Sequence, residues 1–286
     1  MKKFTYLAAL MLFSVTVNAQ KSILFKFRYL PAHTYKSNIK MDMDMHMDMK
    51  NDSSAAGNSP VSQPVDMKMD ALTAVEIKTG ALKQNKTFPF TMTHGDVHSV
   101  MVMNGKETPT PKNPMVGKSI YGQCTADGKL HIDSMSFKGM PEQFKAVMTE
   151  MMNKAQGQIK FPEKPLAIGQ TFTQEIPFSM PAGGIKIDMK IKTIYKLIAV
   201  KDNLAYFDTD MSLGFDLDSE KNGTKITGKG TGKGTGKLTF SLVKSYPVAM
   251  ASNFTMQYTM NVKTMSIAAN MKMVSDVKNN ISTNLK

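Results

Sequence analysis

Methionine sulfur is the most abundant chemically distinctive group in this sequence, which contains 27 methionines among 286 residues. Soft thioethers are suitable ligands for Cu(I), and the same flexible side chains also line apolar surfaces that accept ligands of varied shape. Seven of the methionines occupy alternate positions in two neighbouring segments: Met41, Met43, Met45, Met47, Met49, Met67 and Met69.

The two hypotheses for this region require different geometry. Same-face residues of one strand lie roughly 6.6 Å apart, so one copper ion would need sulfurs from two adjacent strands. The copper hypothesis uses Met41, Met43, Met45, Met67 and Met69. We favour a binding surface, because methionine also recurs in most other segments and therefore indicates a general apolar lining. The candidate residues of that surface are Met43, Met45, Met47, Met67 and Met69.

Other candidate sites are incomplete. His94 and His98 flank a Gly-Asp pair, but no third zinc ligand accompanies them, and an exposed turn also explains them. Residues 208–212 begin like a calcium loop, yet Leu213 stands where that loop requires glycine. Cys124 is the only cysteine, and a lone thiol in an apolar strand pattern is typical of an inert buried group. We therefore expect no enzymatic activity, no catalytic residue and no cofactor.

Glycine occupies every second position over residues 228–236 in a pattern that superficially resembles a phosphate-binding loop. Gly223 and Gly228 have the spacing of that loop and Lys229 follows them, but Gly230 stands where the loop requires Ser or Thr. No helix pattern follows Gly230 either. A strand with one bare face is the better interpretation, in which a helix or a neighbouring strand packs closely against the glycines. Lysines of the opposite parity are then expected on a solvated face: Lys229, Lys233 and Lys237.

Composition excludes several classes of protein. The formal net charge is +13 and 42% of the residues are hydrophobic, which is a globular composition. Arg28 is the only arginine and there is no tryptophan, although arginine is the usual residue for bidentate contacts with phosphate and bases. We therefore expect no nucleic-acid partner.

The first residues are typical of a secretory signal peptide. Lys2 and Lys3 precede an apolar run over residues 6–17, and a small-x-Ala site ends at Ala19. We expect cleavage after Ala19, no membrane span in the remaining chain, and a periplasmic or secreted protein of the cell envelope. With a single cysteine, such a chain is stabilised by packing rather than by disulfides.

The rest of the chain alternates apolar and polar residues with period two, which predicts β-strands with one buried and one wet face. Parity changes near Lys263, which predicts a reversal or a bulge there, and Asp127-Gly128 between alternating segments predicts a tight hairpin. The two methionine segments are expected to form a long hairpin. An apolar stripe over residues 141–157 predicts one amphipathic helix that covers the sheet.

These patterns predict a mainly β (α+β) fold, a long curved antiparallel sheet or incomplete barrel with one covering helix. By analogy this resembles the lipoprotein carriers of the bacterial envelope. We expect a signal peptide (1–19) and one β-rich domain (20–286). Within the domain, a half with shorter strands (20–159) precedes a connector (160–170) and a half with long strands (171–286).

Several segments follow one another in a recognisable order: the early hairpin, D-G-K-L-H-I-D-S, the helix pattern, F-P-E-K-P-L-A-I-G-Q-T-F and the glycine strand. In this order the sequence resembles a family of secreted Bacteroidota proteins described as a domain of unknown function. The resemblance implies an envelope location and a β-rich fold, and it brings no catalytic residues with it.

The sequence therefore predicts a non-enzymatic envelope protein that binds a hydrophobic or lipidic small molecule, or an envelope component, in a methionine-lined concavity. Two alternatives remain open at this point. One is a methionine-rich copper-handling protein. The other is an outer-membrane β-barrel, against which the absence of tryptophan and of aromatic girdles argues.

Overall fold

The computed structural model of the protein describes residues 22–51, 63–109, 115–128, 130–135, 159–182, 185–221 and 223–284. Twelve strands are formed by these residues: β1 His33–Asn51, β2 Gln63–Thr79, β3 Thr87–Met103, β4 Lys106–Thr108, β5 Ser119–Thr125, β6 Leu130–Met135, β7 Thr171–Ala182, β8 Ile185–Lys201, β9 Leu204–Lys221, β10 Thr224–Ser241, β11 Tyr246–Val262 and β12 Met265–Thr283. The expected signal peptide and the helix predicted over 141–157 lie outside the described residues. Within the described ranges, no helix is long and apolar enough to cross a membrane.

All twelve strands belong to one antiparallel sheet. Its order is β6-β5-β3-β2-β1-β12-β11-β10-β9-β8-β7, with the short β4 paired to β3. Among the described strands, β6 and β7 are the two edges, so the sheet is not closed. The predicted β-rich antiparallel sheet is confirmed, and so is the hairpin of the two methionine segments, β1 and β2.

Long strands occur in both halves of the chain. β1 has 19 residues, while β2 and β3 have 17 each, so the expectation of shorter strands before residue 160 is wrong for these three. The halves join at β1, which pairs with β2 on one side and with β12 on the other. Residues that are far apart in sequence therefore share one continuous face.

The predicted reversals follow from local chemistry. Lys263 and Thr264 connect β11 to β12, and Lys263 has a φ of 55°. Asp127 and Gly128 connect β5 to β6, and Gly128 has a φ of 89°, which glycine adopts without a Cβ penalty. Both turns confirm the sequence predictions.

Alternation divides the sheet into two chemically different faces. We call the face that carries Tyr35 and Phe207 the inner face and the opposite one the outer face. Apart from Lys221, the last residue of β9, every Asp, Glu and Lys in the described parts of β1–β3 and β7–β12 lies on the outer face. Lys221 takes an inner-face register position at the turn between β9 and β10, and the other inner-face positions of these strands carry only uncharged side chains and histidine.

The inner face is filled at the end where β1 begins and β12 ends, which we call the lower end. One aromatic-rich cluster there contains Phe172, Leu197, Phe207 and Phe240. A second contains Tyr35, Phe88, Ile120, Cys124 and Tyr246. The burial of these large side chains is the main stabilising contribution that we identify in the fold.

Residues 22–30, which precede β1, connect the two clusters. Phe25 belongs to the cluster of β7–β10, and Tyr29 belongs to the cluster of β1–β6. Within this segment, Arg28 donates its backbone N–H to Ser245 O, just before β11, and also lies against Gly128 in the turn after β5. In a flat sheet, β5 and β11 would lie roughly 24 Å apart, from five spacings of about 4.8 Å, too far for one residue to contact both. The sheet therefore curls around this segment, and its concave side is the inner face.

Candidate ligand-binding surface

Methionine side chains lie side by side on five adjacent strands of the inner face, towards the upper end. The backbone register places one row directly opposite one another: Met103, Met67, Met45, Met271 and Met256. The next row is Met101, Met69, Met43 and Met273, and Phe254 continues it. We call these nine methionines the methionine surface. Side chains directly opposite in such a sheet have Cβ atoms roughly 4.5–5.5 Å apart, so the methionine side chains of each row are immediate neighbours.

The candidate residues predicted from sequence all lie on this face. Met43 is opposite Met69, and Met45 is opposite Met67. Three further members of the first segment have other partners: Met41 is opposite Ala71, Met47 is opposite Val65, and Met49 is opposite Gln63. The structure thus brings four of the candidates together as two direct pairs.

Five members of the methionine surface were missed by sequence reasoning. They are Met101, Met103, Met256, Met271 and Met273. Their alternation was visible in part, but their place beside Met43 and Met45 depends on pairing between distant strands. No local signal in the sequence specifies that pairing.

The methionine surface is partly exposed, unlike the lower end of the same face. All nine side chains are intermediate between buried and exposed, whereas Tyr35 and Leu197 are completely buried at the lower end. An apolar, partly solvated concave surface is the usual form of a site for an apolar ligand.

Tyr258 places one polar atom beside the methionine surface. Its side chain extends over Ala269, which is 3% exposed, and reaches β1 across β12. The Tyr258 hydroxyl lies 3.8 Å from Met45 Sδ and 4.0 Å from Met47 Sδ. Burial raises the pKa of Tyr258, so the group is a hydroxyl donor at neutral pH.

The glycines of β10 form a second wall of the concave face. Gly230 is opposite Phe215, and Gly234 is opposite Phe254. A Cβ at Gly230 would collide with the ring of Phe215, and one at Gly232 with the ring of Phe254. The prediction that something packs on the glycines is confirmed, and the packed groups are side chains of the neighbouring strands. Lys229, Lys233 and Lys237 lie exposed on the outer face.

The outer face of β1 and β2 carries charges in place of methionine. His46 lies there, and its Nδ1 is 2.6 Å from Asp66 Oδ1. The hydrogen bond with Asp66 is the main cause that raises the pKa of His46, and the negative charge of Asp48 adds to it. His46 therefore faces away from the methionine sulfurs and is not placed to share a metal ion with them.

The other sequence candidates do not form sites in the described structure. His94 and His98 lie within β3 rather than in a turn, because an extra residue bulges the strand between them. His94 is half-buried on the inner face, whereas His98 is exposed on the outer face, so they do not bind one ion together. Among the described residues, no group of three or more His, Cys, Asp or Glu side chains is placed to hold a metal ion.

The acids of β9 and the single cysteine also have structural roles. Asp208 and Asp210 alternate on the outer face of a regular strand, which agrees with the strand interpretation rather than a calcium loop. Cys124 is completely buried in the cluster that contains Tyr35 and Tyr246, and burial raises the pKa of its thiol to about 12.

No protein-family model matches the chain. No curated protein matches it either. Among solved structures, the chain is similar to Pseudomonas aeruginosa OpdQ, with 7% identity over 86% of this chain and 99% of that chain and a TM-score of 0.27. It is also similar to the outer membrane protease OmpT from Escherichia coli, with 7% identity over 87% and 97% of the two chains and a TM-score of 0.21. A BenF-like porin from Pseudomonas fluorescens Pf-5 shows 8% identity over 86% and 99% of the two chains, with a TM-score of 0.19.

Proposed function

We propose that the protein is a non-enzymatic binding protein of the cell envelope, which takes a hydrophobic or lipidic ligand on its methionine surface. The observation that carries this proposal is the pair of methionine rows, continuous across five strands and partly exposed. Packing alone would place such side chains in the closed core, as at the lower end. A surface of this kind contributes binding energy only when something covers it.

Area and side-chain flexibility both favour this role. A ligand that removes about 200 Å² of apolar surface from water gains on the order of 5 kcal/mol before the cost of association. Methionine has three rotatable side-chain bonds and a polarisable sulfur, so the surface adapts to ligands of irregular shape. We therefore expect broad selectivity among apolar ligands of similar size.

Adjacent residues on opposite faces provide the direct test. Met256→Lys introduces a charge on the methionine surface, whereas Gln257→Lys introduces it on the exposed outer face. With a fluorescent naphthylamine probe of apolar sites, we expect the first variant to lose binding and the second to retain it. Circular dichroism establishes that each variant is folded, and Met256→Ser replaces Met256→Lys if the lysine variant is not. Binding that survives in a folded Met256 variant would contradict the proposal.

The outer-membrane alternative requires apolar rather than polar residues on the outer face. A membrane barrel needs an apolar band on its outer face, whereas the outer face here carries Lys192, Asp210 and Lys233 in mid-strand. A lysine facing lipid near the bilayer midplane costs roughly 2–4 kcal/mol. This polarity favours a protein with solvent on its outer face. Fractionation of cells that produce the protein tests it: we expect recovery without detergent, and recovery only from detergent-extracted outer membranes would favour the barrel.

Copper handling is the second alternative, and the cross-strand pairs favour it in one respect. Met43, Met45, Met67 and Met69 place four thioethers on neighbouring positions of two strands, as one Cu(I) ion would require. Native mass spectrometry of protein purified from its own envelope distinguishes the hypotheses, since a retained lipid supports our proposal and retained copper opposes it.

Titration of the apoprotein with Cu(I) provides a second comparison. Replacing Met43, Met45 and Met47 with leucine roughly conserves volume and should leave the fold intact. We expect weak Cu(I) binding before and after this change. A tight Cu(I) site that disappears in the triple variant would overturn our ranking of the two hypotheses.

A further inference from the structure

The methionine surface has no charged partner to offer a ligand. Apart from Lys221 at the end of β9, two strands away from β11, the inner-face positions in the described parts of β1–β3 and β7–β12 contain no Asp, Glu, Lys or Arg. A carboxylate or phosphate group placed there would lose its hydration without gaining an opposite charge, which is costly in an apolar site. A ligand that lies on this surface is therefore selected for having no charge.

The Tyr258 hydroxyl lies on the same surface and has only weak hydrogen-bond acceptors among the described residues. The contacts of Tyr258 Oη with Met45 Sδ and Met47 Sδ are at 3.8 and 4.0 Å, and thioether sulfur is a weak acceptor. By contrast, the nearby inner-face hydroxyls of Ser252 and Ser275 lie 2.8 Å apart and bind one another. Tyr258 is thus a donor that gains from a better acceptor, and an oxygen of a ligand would provide it.

We infer that the ligand is an uncharged lipid that carries a carbonyl-type oxygen, as in an ester or a quinone, and that this oxygen accepts a hydrogen bond from the Tyr258 hydroxyl while the apolar part lies on the methionine surface. This inference rests on the proposed function and names the chemistry of its ligand. Met45 and Met47 keep their packing when the hydroxyl turns from their sulfurs to the ligand. The position of Tyr258 sets where along the concave face the polar end of the ligand lies.

Three probes of equal chain length separate charge from hydrogen bonding: methyl oleate, oleate and 1-octadecene. Each competes with the naphthylamine probe for the full mature chain at pH 8, where oleate is ionised. We expect methyl oleate to bind at least about tenfold more tightly than oleate, because desolvating an unpaired charge costs more than one hydrogen bond contributes. Comparable or tighter binding of oleate would overturn the inference while leaving the proposed function intact. Absence of binding by all three would overturn the proposed function itself.

Removal of the Tyr258 hydroxyl tests the proposed hydrogen bond to the ligand separately. Tyr258→Phe should weaken methyl oleate by roughly two- to tenfold, the contribution of one hydrogen bond, and leave 1-octadecene unchanged. Tyr206→Phe is the matched control, because Tyr206 is 38% exposed on the outer face of β9, and we expect no effect on either ligand. If Tyr258→Phe weakens the binding of methyl oleate and 1-octadecene equally, Tyr258 contributes only packing, and the proposed hydrogen bond to the ligand is overturned.

Discussion

The ring of Phe254 lies against the bare backbone of Gly234, its register partner on β10. A Cβ at Gly234 would stand 2.7 Å from Phe254 Cδ2 and 2.6 Å from the carbonyl oxygen of Asn253. The same ring also covers Gly232. Glycine here is a packing requirement, since an aromatic side chain occupies the volume that a Cβ would need.

Replacing Gly232 with valine should therefore destabilise the protein. Valine is normally preferred to glycine in a strand, but here it would force the Phe254 ring or the backbone to move, which costs roughly 1–3 kcal/mol. Chemical denaturation measures the free energy of unfolding. Lys233→Thr is the control on the outer face and should change little. An increase in melting temperature for Gly232→Val would show that the ring does not constrain this position.

A double-mutant cycle attributes that cost to the ring. In a Phe254→Ala background the valine has space, so we expect Gly232→Val to cost less there than in the native sequence. If the cost is the same in both backgrounds, the clash lies with the backbone of β11 rather than with Phe254.

Residues 22–30 should contribute strongly to stability, because they fill the space between the two aromatic clusters. Phe25 is 3% exposed and contacts Phe161 and Phe207, whereas its neighbour Leu24 is 48% exposed. We expect Phe25→Ala to cost roughly 3–5 kcal/mol of unfolding free energy and Leu24→Ala to cost much less. Similar effects of the two changes in thermal or chemical denaturation would contradict the packing described for this segment.

Two histidines should titrate in opposite directions from the ordinary value of about 6.5. The hydrogen bond with Asp66 raises the pKa of His46. The resulting stabilisation is present below the unfolded pKa and is lost as the pH rises through the raised folded value. Burial lowers the pKa of His94, so protonating it opposes folding and stability falls as the pH drops below about 6.5.

NMR titration of the imidazole protons measures both values, with assignments from His46→Asn and His94→Asn. Asp66→Asn should return the pKa of His46 towards its ordinary value and leave that of His94 unchanged. A His94 that titrates above His46 would show that the inner face is wetter at the bulge than the structure indicates.

Cys124 should be unreactive in the folded protein. Its side chain is completely buried, and burial raises the pKa of the thiol to about 12, so the reactive thiolate is scarce at neutral pH. A disulfide exchange reagent should label it only after denaturant is added. Rapid stoichiometric labelling of the native protein at pH 7.5 would mean that the cluster around Cys124 opens readily.

Much of the fold was accessible to sequence reasoning because side chains alternate strictly in a strand with one wet face. Met43 and Asp44 already predict opposite faces. The change of parity at Lys263 already predicts a reversal or a bulge, and the structure has the reversal, as the turn between β11 and β12. The hairpin of β1 and β2 follows from the short connection between two similar patterns. These are local properties, which a single sequence contains.

The features that the sequence did not predict depend on contacts between residues far apart along the chain. The pairing of Met45 with Met271 joins residues on strands from opposite ends of the sequence, and no local pattern specifies it. Residues 22–30 contain alternating Phe25, Phe27 and Tyr29, a signal of burial, but the segment forms no long strand and was not assigned to the core. An exposed turn was one explanation of Gly95-Asp96, whereas pairing with β2 continues before and after these residues and accommodates the extra residue as a bulge.

The pairing of β1 with β12 also determines the order in which the molecule is completed. His33 lies opposite Thr283, so β1 acquires its second neighbour only after β12 has been synthesised. Until then, one edge of β1 and the thioethers beside it stay open to other chains, and strand edges of this kind promote aggregation. Contacts of such long sequence separation also slow folding. We therefore expect a nascent chain that lacks β12 to be more prone to aggregation than the folded protein, because β12 covers this edge of β1.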